Sequence, residues 1–109
     1  MQISYRKLVR DRIPEIIRAD GHKAVTHVLD EESYRAALLE KLIEEAHEAR
    51  QAPATQLAAE LADVFEVLAA TAQAHGLIWD DVLALADRKR ADRGGFHNRT
   101  FLEYVEQSG

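Results

Sequence analysis

The segment from residue 57 to residue 68 constrains the fold of this chain most strongly. Apolar side chains cover most of the circumference of a helix built from it, at Leu57, Leu61, Val64, Phe65, Val67 and Leu68. A helix that is apolar on most sides is usually surrounded by other helices. We therefore expect a central helix, about 55–75, packed inside a helical bundle.

Periodicity and capping residues predict three further helices. The segment of about 31–51 repeats apolar residues at spacings of three and four, and Asp30 can cap its start, with Ser33 as the later candidate. Pro14 fits the first turn of a short helix of about 13–19. A last helix follows the central one and ends at about residue 93, where two glycines stop it. Short connections between these segments predict an all-α antiparallel helix bundle, and Thr55 is expected to cap the central helix.

The size and composition of the chain predict one domain that is completed by another copy. A length of 109 residues leaves no room for a second independent core, so residues 1–109 are expected to form a single domain. Aromatic residues make up only 6% of the chain, and much of its hydrophobic content is alanine. A single copy therefore has a thin core, and we expect a homodimer to bury more surface.

The charge pattern and the absence of cysteine exclude several classes of partner and site. The formal net charge is −5, with basic clusters at residues 6–12 and 88–99 and acids concentrated at 30–66. The basic residues do not form a patch across one face of the molecule, so we do not expect binding to a nucleic-acid polymer. The chain has no cysteine for a disulfide or a thiolate metal site. No apolar run predicts a signal peptide or a membrane span, so we expect a cytoplasmic protein.

Acidic residues recur at three-residue spacings on two consecutive helices. In the central helix they are Glu60, Asp63 and Glu66. Positions three apart project from the same side of a helix, so Glu60 and Asp63 can share a ligand. Glu66 is displaced further and favours a structural role. Glu45 and Glu48 repeat the spacing on the preceding helix, and the two pairs face each other if the helices are antiparallel neighbours.

Four converging carboxylates repel one another unless a cation lies between them. Oxygen ligands without cysteine or an obligatory histidine suit Mg²⁺ or Mn²⁺, and Mg²⁺ often takes substrate phosphates as further ligands. The pattern therefore favours a site for a phosphate-bearing molecule. Two other interpretations stay open: the acids near residue 45 can form a solvated helix face, and Glu60 and Asp63 can be neutralised by Arg or Lys.

Candidate phosphate-binding cations occur near both ends of the chain. Lys89 and Arg93 are four residues apart and share one face of the last helix, whereas Lys7, Arg10 and Arg12 cluster near the N-terminus. Arginine offers a planar fork to phosphate oxygens, and lysine offers a point charge. Taken alone, the pair on the last helix is better explained by the attraction of cations to a helix C-terminus and by the solubility of the surface.

Four sequence elements in this order resemble the MazG-like all-α nucleoside triphosphate pyrophosphatases. They are EExxE at 44–48, ExxD at 60–63, the opening YRKLVRDRIPEII and the closing RKRADRGGFHNRTFLE. The opening and closing elements resemble the branch called phosphoribosyl-ATP pyrophosphohydrolase-like, and the resemblance extends from Tyr5 to Glu103. It implies a helical homodimer or homotetramer. It also implies Mg²⁺-dependent hydrolysis of a nucleotide substrate to a monophosphate and pyrophosphate, in a house-cleaning role.

The resemblance also implies roles for individual residues. The implied metal ligands are Glu45, Glu48, Glu60 and Asp63. The implied phosphate-binding residues are Lys7, Arg10, Arg12, Lys89 and Arg93. Glu45 or Glu48 is the expected catalytic carboxylate, because one that is not fully engaged by metal can orient or deprotonate the attacking water. Glu44 is the extra acid of the motif and is expected to support the ligands without contacting the ion.

One departure from the histidine-pathway enzymes bears on the substrate. Those enzymes usually carry a Tyr-His pair after the aspartate and lack an opening like KLVRDRIP, whereas Val64, Phe65 and Glu66 follow Asp63 here. We therefore expect a nucleoside triphosphate substrate, with phosphoribosyl-ATP as the alternative. A non-catalytic helical module that binds a nucleotide or a partner protein is another alternative. A di-iron site would use the Glu-x-x-His spacing of residues 44–47.

Overall fold

The computed structural model describes residues 1–107, and this range contains four α-helices, one 3-10 helix and no strand. The α-helices are α1 (Ile13–Ala19), α2 (Glu31–Gln51), α3 (Leu57–Ala74) and α4 (Trp79–Arg93). The 3-10 helix comprises Ala54–Gln56 and lies between α2 and α3. The all-α prediction is confirmed.

The start of α2 has the cap that the sequence predicts. The backbone N–H of Ser33 donates to the side chain of Asp30 at 2.8 Å, which satisfies one of the amides left free at a helix start. Two acidic residues in the first turn stabilise the helix, because their negative charges are attracted to the positive end of the helix dipole. The helix ends at Gln51, two residues before Pro53. The predicted range of 31–51 is confirmed.

The start of α3 differs from the prediction. Thr55 was expected to cap a helix beginning there, but it lies inside the 3-10 helix, and α3 begins at Leu57 with no side-chain cap. The cause is local: Pro53 leaves α2 in an extended conformation, and the N–H of Gln56 donates to its carbonyl at 2.9 Å. That tight turn precedes the α-helix and takes the place of a side-chain cap.

Helices α2 and α3 pack as an antiparallel pair, and this pairing positions the acids. Near the start of α2, Arg35 donates through Nε to the carbonyl of Ala74, the last residue of α3, at 3.0 Å. Leu38, Val67 and Ala72 are the buried apolar residues of the described part of the chain. They belong to these two helices, so each helix turns an apolar side inward. The expectation that consecutive helices are antiparallel holds for this pair.

The chain divides into two compact units. Met1–Leu77 contains the N-terminal segment and helices α1 to α3, and the second unit begins at Ile78 and contains α4. Helix α4 ends at Arg93 and is followed by the capping residue Gly94, whose φ of +82° lies in the left-handed region that suits glycine. Among residues 1–107, every helix is too short or too polar to span a membrane. A single domain over residues 1–109 stays a prediction.

Candidate metal and phosphate site

Three of the four predicted metal ligands converge between α2 and α3. One carboxylate oxygen from each of Glu45, Glu60 and Asp63 lies within 4.8 Å of the others. Glu60 and Asp63 are one helical turn apart on α3, so their side chains leave the same side of the helix. Glu45 reaches them from α2 because the two helices are neighbours. The donor set consists of oxygens only, which is the set that hard divalent cations prefer.

Two oxygens of this cluster are buried without a hydrogen bond. Among the described residues, Oε2 of Glu45 and Oε2 of Glu60 find no hydrogen-bond partner, and the whole Glu45 residue is only 7% exposed. A buried acceptor without a partner is costly, and more so when it carries charge. A divalent cation satisfies such oxygens directly. The residues present therefore fit Mg²⁺ or Mn²⁺.

Glu48 lies beside the cluster rather than within it. In the described part of the chain, the group of oxygens that can share an ion does not include Glu48. Its charge is nevertheless close enough to act on Glu45, three residues earlier on α2. Burial is the main cause that raises the pKa of Glu45, and the negative charge of Glu48 is the next. A ligand role for Glu48 stays a prediction.

Lys41 is a member of the site that the sequence analysis did not select. Its Nζ lies 3.4 Å from Oε1 of Glu45 and 3.8 Å from Oε2 of Glu44. The signal was present in the sequence, because Lys41 precedes these acids by four and three residues and such positions share a helix face. Lys7 also pairs with Glu44, at 3.7 Å. Glu44 is thus engaged by two lysines beside the cluster.

The two predicted N-terminal arginines, Arg10 and Arg12, lie at different locations. Nη2 of Arg10 lies 2.7 Å from Oδ1 of Asp63, so this arginine contacts the acid cluster directly. Arg12 instead pairs with Glu15 in the first turn of α1, at 3.3 Å. Neutralisation of Asp63 by an arginine, which the sequence left open, therefore occurs in this structure. Phosphate binding by Arg10, Arg12 and Lys7 stays a prediction.

A cavity of about 330 Å³ opens beside the acids. Its wall comprises the N-terminal residues 8–11 and parts of α2 and α3. The charged residues among its lining are Arg10, Asp11, Lys41, Glu45, Asp63 and Glu66, and most of the others are apolar. Glu66 was expected to be structural, and the structure adds that it lines this cavity. The volume is at the small end of ligand pockets, so it suits part of a nucleotide better than all of one.

Lys89 and Arg93 lie in the second unit, on the C-terminal half of α4. Both are exposed. Arg93 is in the last turn, where a cation is attracted to the negative end of the helix dipole. Arg93 also lines a cavity of about 430 Å³ formed with residues 94–100. Their phosphate contacts stay predictions.

Similarity to known proteins covers the segment that builds the acid cluster. The family model described as phosphoribosyl-ATP pyrophosphohydrolase matches residues 7–90. A stretch of 54 residues is 50% identical to a protein described as uncharacterized from Mycolicibacterium smegmatis (strain ATCC 700084 / mc(2)155), and it covers 50% of this chain. The chain thereby spans only 55% of that relative's length. No solved structure matches significantly.

Proposed function

This chain belongs to the phosphoribosyl-ATP pyrophosphohydrolase family, and on that premise we propose that it is a Mg²⁺-dependent nucleoside triphosphate pyrophosphohydrolase. The family points to a pyrophosphohydrolase, and the products would be a nucleoside monophosphate and pyrophosphate. The observation that carries the metal dependence is the convergence of Glu45, Glu60 and Asp63, with two buried oxygens left without a partner. Mn²⁺ suits the same oxygens.

The N-terminal segment supports a nucleoside triphosphate over phosphoribosyl-ATP as the substrate. From the sequence we expect the opening KLVRDRIP and the residues after Asp63 to differ from the histidine-pathway enzymes. Part of that opening lines the cavity, and its Arg10 contacts Asp63. The segment on which this expectation rests therefore helps to shape the site. Phosphoribosyl-ATP remains the second candidate, because the matching family model carries that description.

The chain's own carboxylates have separate parts in the proposed reaction. A bound Mg²⁺ would supply positive charge for the phosphate oxygens and would make the attacking water more acidic. Glu45, Glu60 and Asp63 would hold the ion. Glu48 lies beside this group, so it is the better candidate to accept the proton of the attacking water, with Glu45 as the other. The water oxygen bonds to the α-phosphorus, the bond to the bridging oxygen breaks, and pyrophosphate leaves with the electron pair.

The chain's cations would neutralise the charge of the substrate and of the leaving pyrophosphate. In the proposal the phosphate-binding residues are Lys7, Arg10, Arg12, Lys89 and Arg93. Arginine and lysine stabilise charge that builds on phosphate oxygens as the bond breaks. Glu44 would keep Lys7 and Lys41 beside the cluster, since both lysines pair with it. We propose a homodimer or homotetramer as the working assembly.

Two alternatives differ from this proposal in what they require. A di-iron carboxylate site would use His47, but the group of possible metal ligands in residues 1–107 contains no histidine. A non-catalytic module would bind a nucleotide without releasing pyrophosphate.

The test is a substrate panel with the variant Asp63→Asn. Ribo-, deoxyribo- and modified nucleoside triphosphates and phosphoribosyl-ATP are incubated with Mg²⁺ or Mn²⁺, and pyrophosphate and orthophosphate are measured separately. We expect pyrophosphate from nucleoside triphosphates and a loss of at least about 100-fold in Asp63→Asn, because the variant loses a metal ligand. Asp20→Asn is the matched control, since Asp20 is exposed and follows α1, outside the cluster.

Each other outcome contradicts a separate part of the proposal. Full turnover by Asp63→Asn would show that the metal site is misplaced. Cleavage of phosphoribosyl-ATP alone would favour the second candidate. Metal binding without pyrophosphate from any substrate would favour the non-catalytic module.

A further inference from the structure

Cations of the chain itself already neutralise part of the acid cluster. Arg10 lies against Asp63 at 2.7 Å, and Lys41 lies against Glu45 at 3.4 Å. Glu60 has no ion pair within the described residues, although one of its oxygens is buried. These pairs occupy carboxylates that a metal ion would need. Metal binding must therefore compete with them.

The two cations are held in different ways. Lys41 is four residues before Glu45 on the same helix, so it stays close to its partner as long as α2 is folded. Arg10 precedes α1, in a segment without regular secondary structure, and is 53 positions from Asp63 in the sequence. Movement of the Arg10 side chain would break no helix. Arg10 is therefore the cation that can leave.

The exposure of the pair makes such an exchange feasible. The side chain of Arg10 is 56% exposed and that of Asp63 is 40% exposed. Ion pairs this accessible contribute little to stability, because water and salt screen them. A divalent cation carries twice the charge of a guanidinium and binds carboxylate oxygens directly. The ion can therefore displace the arginine without a large loss of stability.

We propose that Arg10 is an exchange residue, which neutralises Asp63 until a divalent cation binds there and is then released to the phosphates of the substrate. The inference rests on the proposed metal-dependent function and adds an order of events to it. Two like charges on one carboxylate repel each other, so bound metal drives the guanidinium away from Asp63. A freed guanidinium beside the cavity is a strong phosphate ligand. Metal binding thereby prepares the site for the anionic substrate.

The test measures Mn²⁺ binding to the full chain by isothermal titration calorimetry, with no nucleotide present. Arg10→Gln removes the competing cation and should bind Mn²⁺ about two- to fivefold more tightly than the wild type. Arg6→Gln is the matched control, because it removes the same charge from the same irregular segment but from an exposed residue outside the acid cluster and its cavity. We expect its affinity to equal that of the wild type. Arg10→Lys should restore most of the wild-type affinity.

The results separate this inference from the proposed function. Equal affinities in Arg10→Gln and Arg6→Gln, or weaker binding in Arg10→Gln, would overturn the exchange. Tighter binding in Arg10→Gln without any turnover in the substrate panel would support the exchange and contradict the enzyme. No Mn²⁺ binding by the wild type or any folded variant would overturn both. Circular dichroism establishes that each variant is helical. If Arg10→Gln does not fold, Arg10→Ala takes its place, and an affinity equal to that of Arg6→Gln then overturns the exchange.

Discussion

Glu45 has the environment that most clearly calls for a cation. It is buried, one of its oxygens has no hydrogen-bond partner among residues 1–107, and Glu48 adds a second negative charge nearby. Lys41 offsets this only in part, since burial and repulsion together raise the pKa of Glu45. The metal-free chain therefore carries a carboxylate whose ionisation opposes folding. The free energy of the folded state falls when this carboxylate binds a proton or a metal ion.

The metal-free protein should lose stability as pH rises through the titration of Glu45. The pKa of Glu45 in the folded chain lies above its ordinary value of 4.5, so the folded state holds this proton longer than the unfolded state does. The contribution of Glu45 to stability is thus fully present at pH values below its ordinary pKa. It is lost as the pH rises through the raised pKa of the folded state. Glu45→Gln removes this loss and should have the higher urea midpoint near neutral pH without metal.

Urea unfolding followed by circular dichroism at several pH values checks this expectation. Glu40→Gln is the matched control, because Glu40 is exposed on the same helix. Added Mn²⁺ should reverse the order: the wild type gains stability by binding the ion, and Glu45→Gln gains less because it lacks a ligand. A lower urea midpoint for Glu45→Gln than for the wild type at every pH, without metal, would contradict this account of Glu45.

Which side-chain contacts could be predicted depended on their separation in the sequence. The contact between Lys41 and Glu45 follows from a spacing of four on a helix, and a closer inspection of the sequence would have found it. The convergence of Glu45 with Glu60 and Asp63 followed from helical spacing and antiparallel packing. The contact from Arg10 to Asp63 has no periodic signal, because irregular backbone carries the arginine there.

At the scale of the helix, α2 depends on the cap at its first turn. The side chain of Asp30 accepts the N–H of Ser33, and this hydrogen bond from the backbone lowers the pKa of Asp30 below its ordinary value of 3.8. Such a carboxylate stabilises the fold at pH values above its ordinary pKa. That contribution is lost as pH falls through the lowered value. The cap fixes where α2 begins, and α2 carries both Glu45 and Glu48.

Loss of the cap should lower the stability of the whole α2–α3 pair. Asp30→Ala removes the acceptor for Ser33 and should lower Tm by a few degrees at neutral pH. Asp30→Asn keeps an acceptor oxygen and should retain most of the stability. Thermal unfolding monitored by circular dichroism measures both variants. Equal losses in the two would mean that the charge matters and the hydrogen bond does not.

Helix ends were predictable where a single residue determines them. Pro14, Asp30 and Pro53 each impose a local geometry, and the predicted ranges of α1 and α2 agree with the structure. The predicted start of α3 was wrong, because Thr55, a good capping residue, lies in a 3-10 turn. A capping preference is weak, and the turn that follows Pro53 overrides it here.

At the scale of the molecule, α2 and α3 leave a large apolar surface exposed. Its members on α2 are Leu39 and Ile43, four residues apart, and its members on α3 include Leu57, Leu61 and Leu68. Among residues 1–107, only three apolar residues are buried. Exposed apolar side chains on two packed helices are candidates for an interface, because large exposed apolar patches mark interaction sites. The sequence anticipated this in outline, because a core built largely of alanine is thin.

We expect this surface to be covered by a second copy of the chain. Ile43 is 71% exposed, so Ile43→Glu changes little within one copy but places a charge in the expected interface. Sedimentation velocity should find the wild type as a dimer or tetramer and Ile43→Glu largely as a monomer. Val25→Glu, at an 85% exposed position between α1 and α2, is the control and should assemble normally. A monomeric wild type at micromolar concentration would contradict the expectation, and a monomer that still binds Mn²⁺ would show that one copy holds the metal.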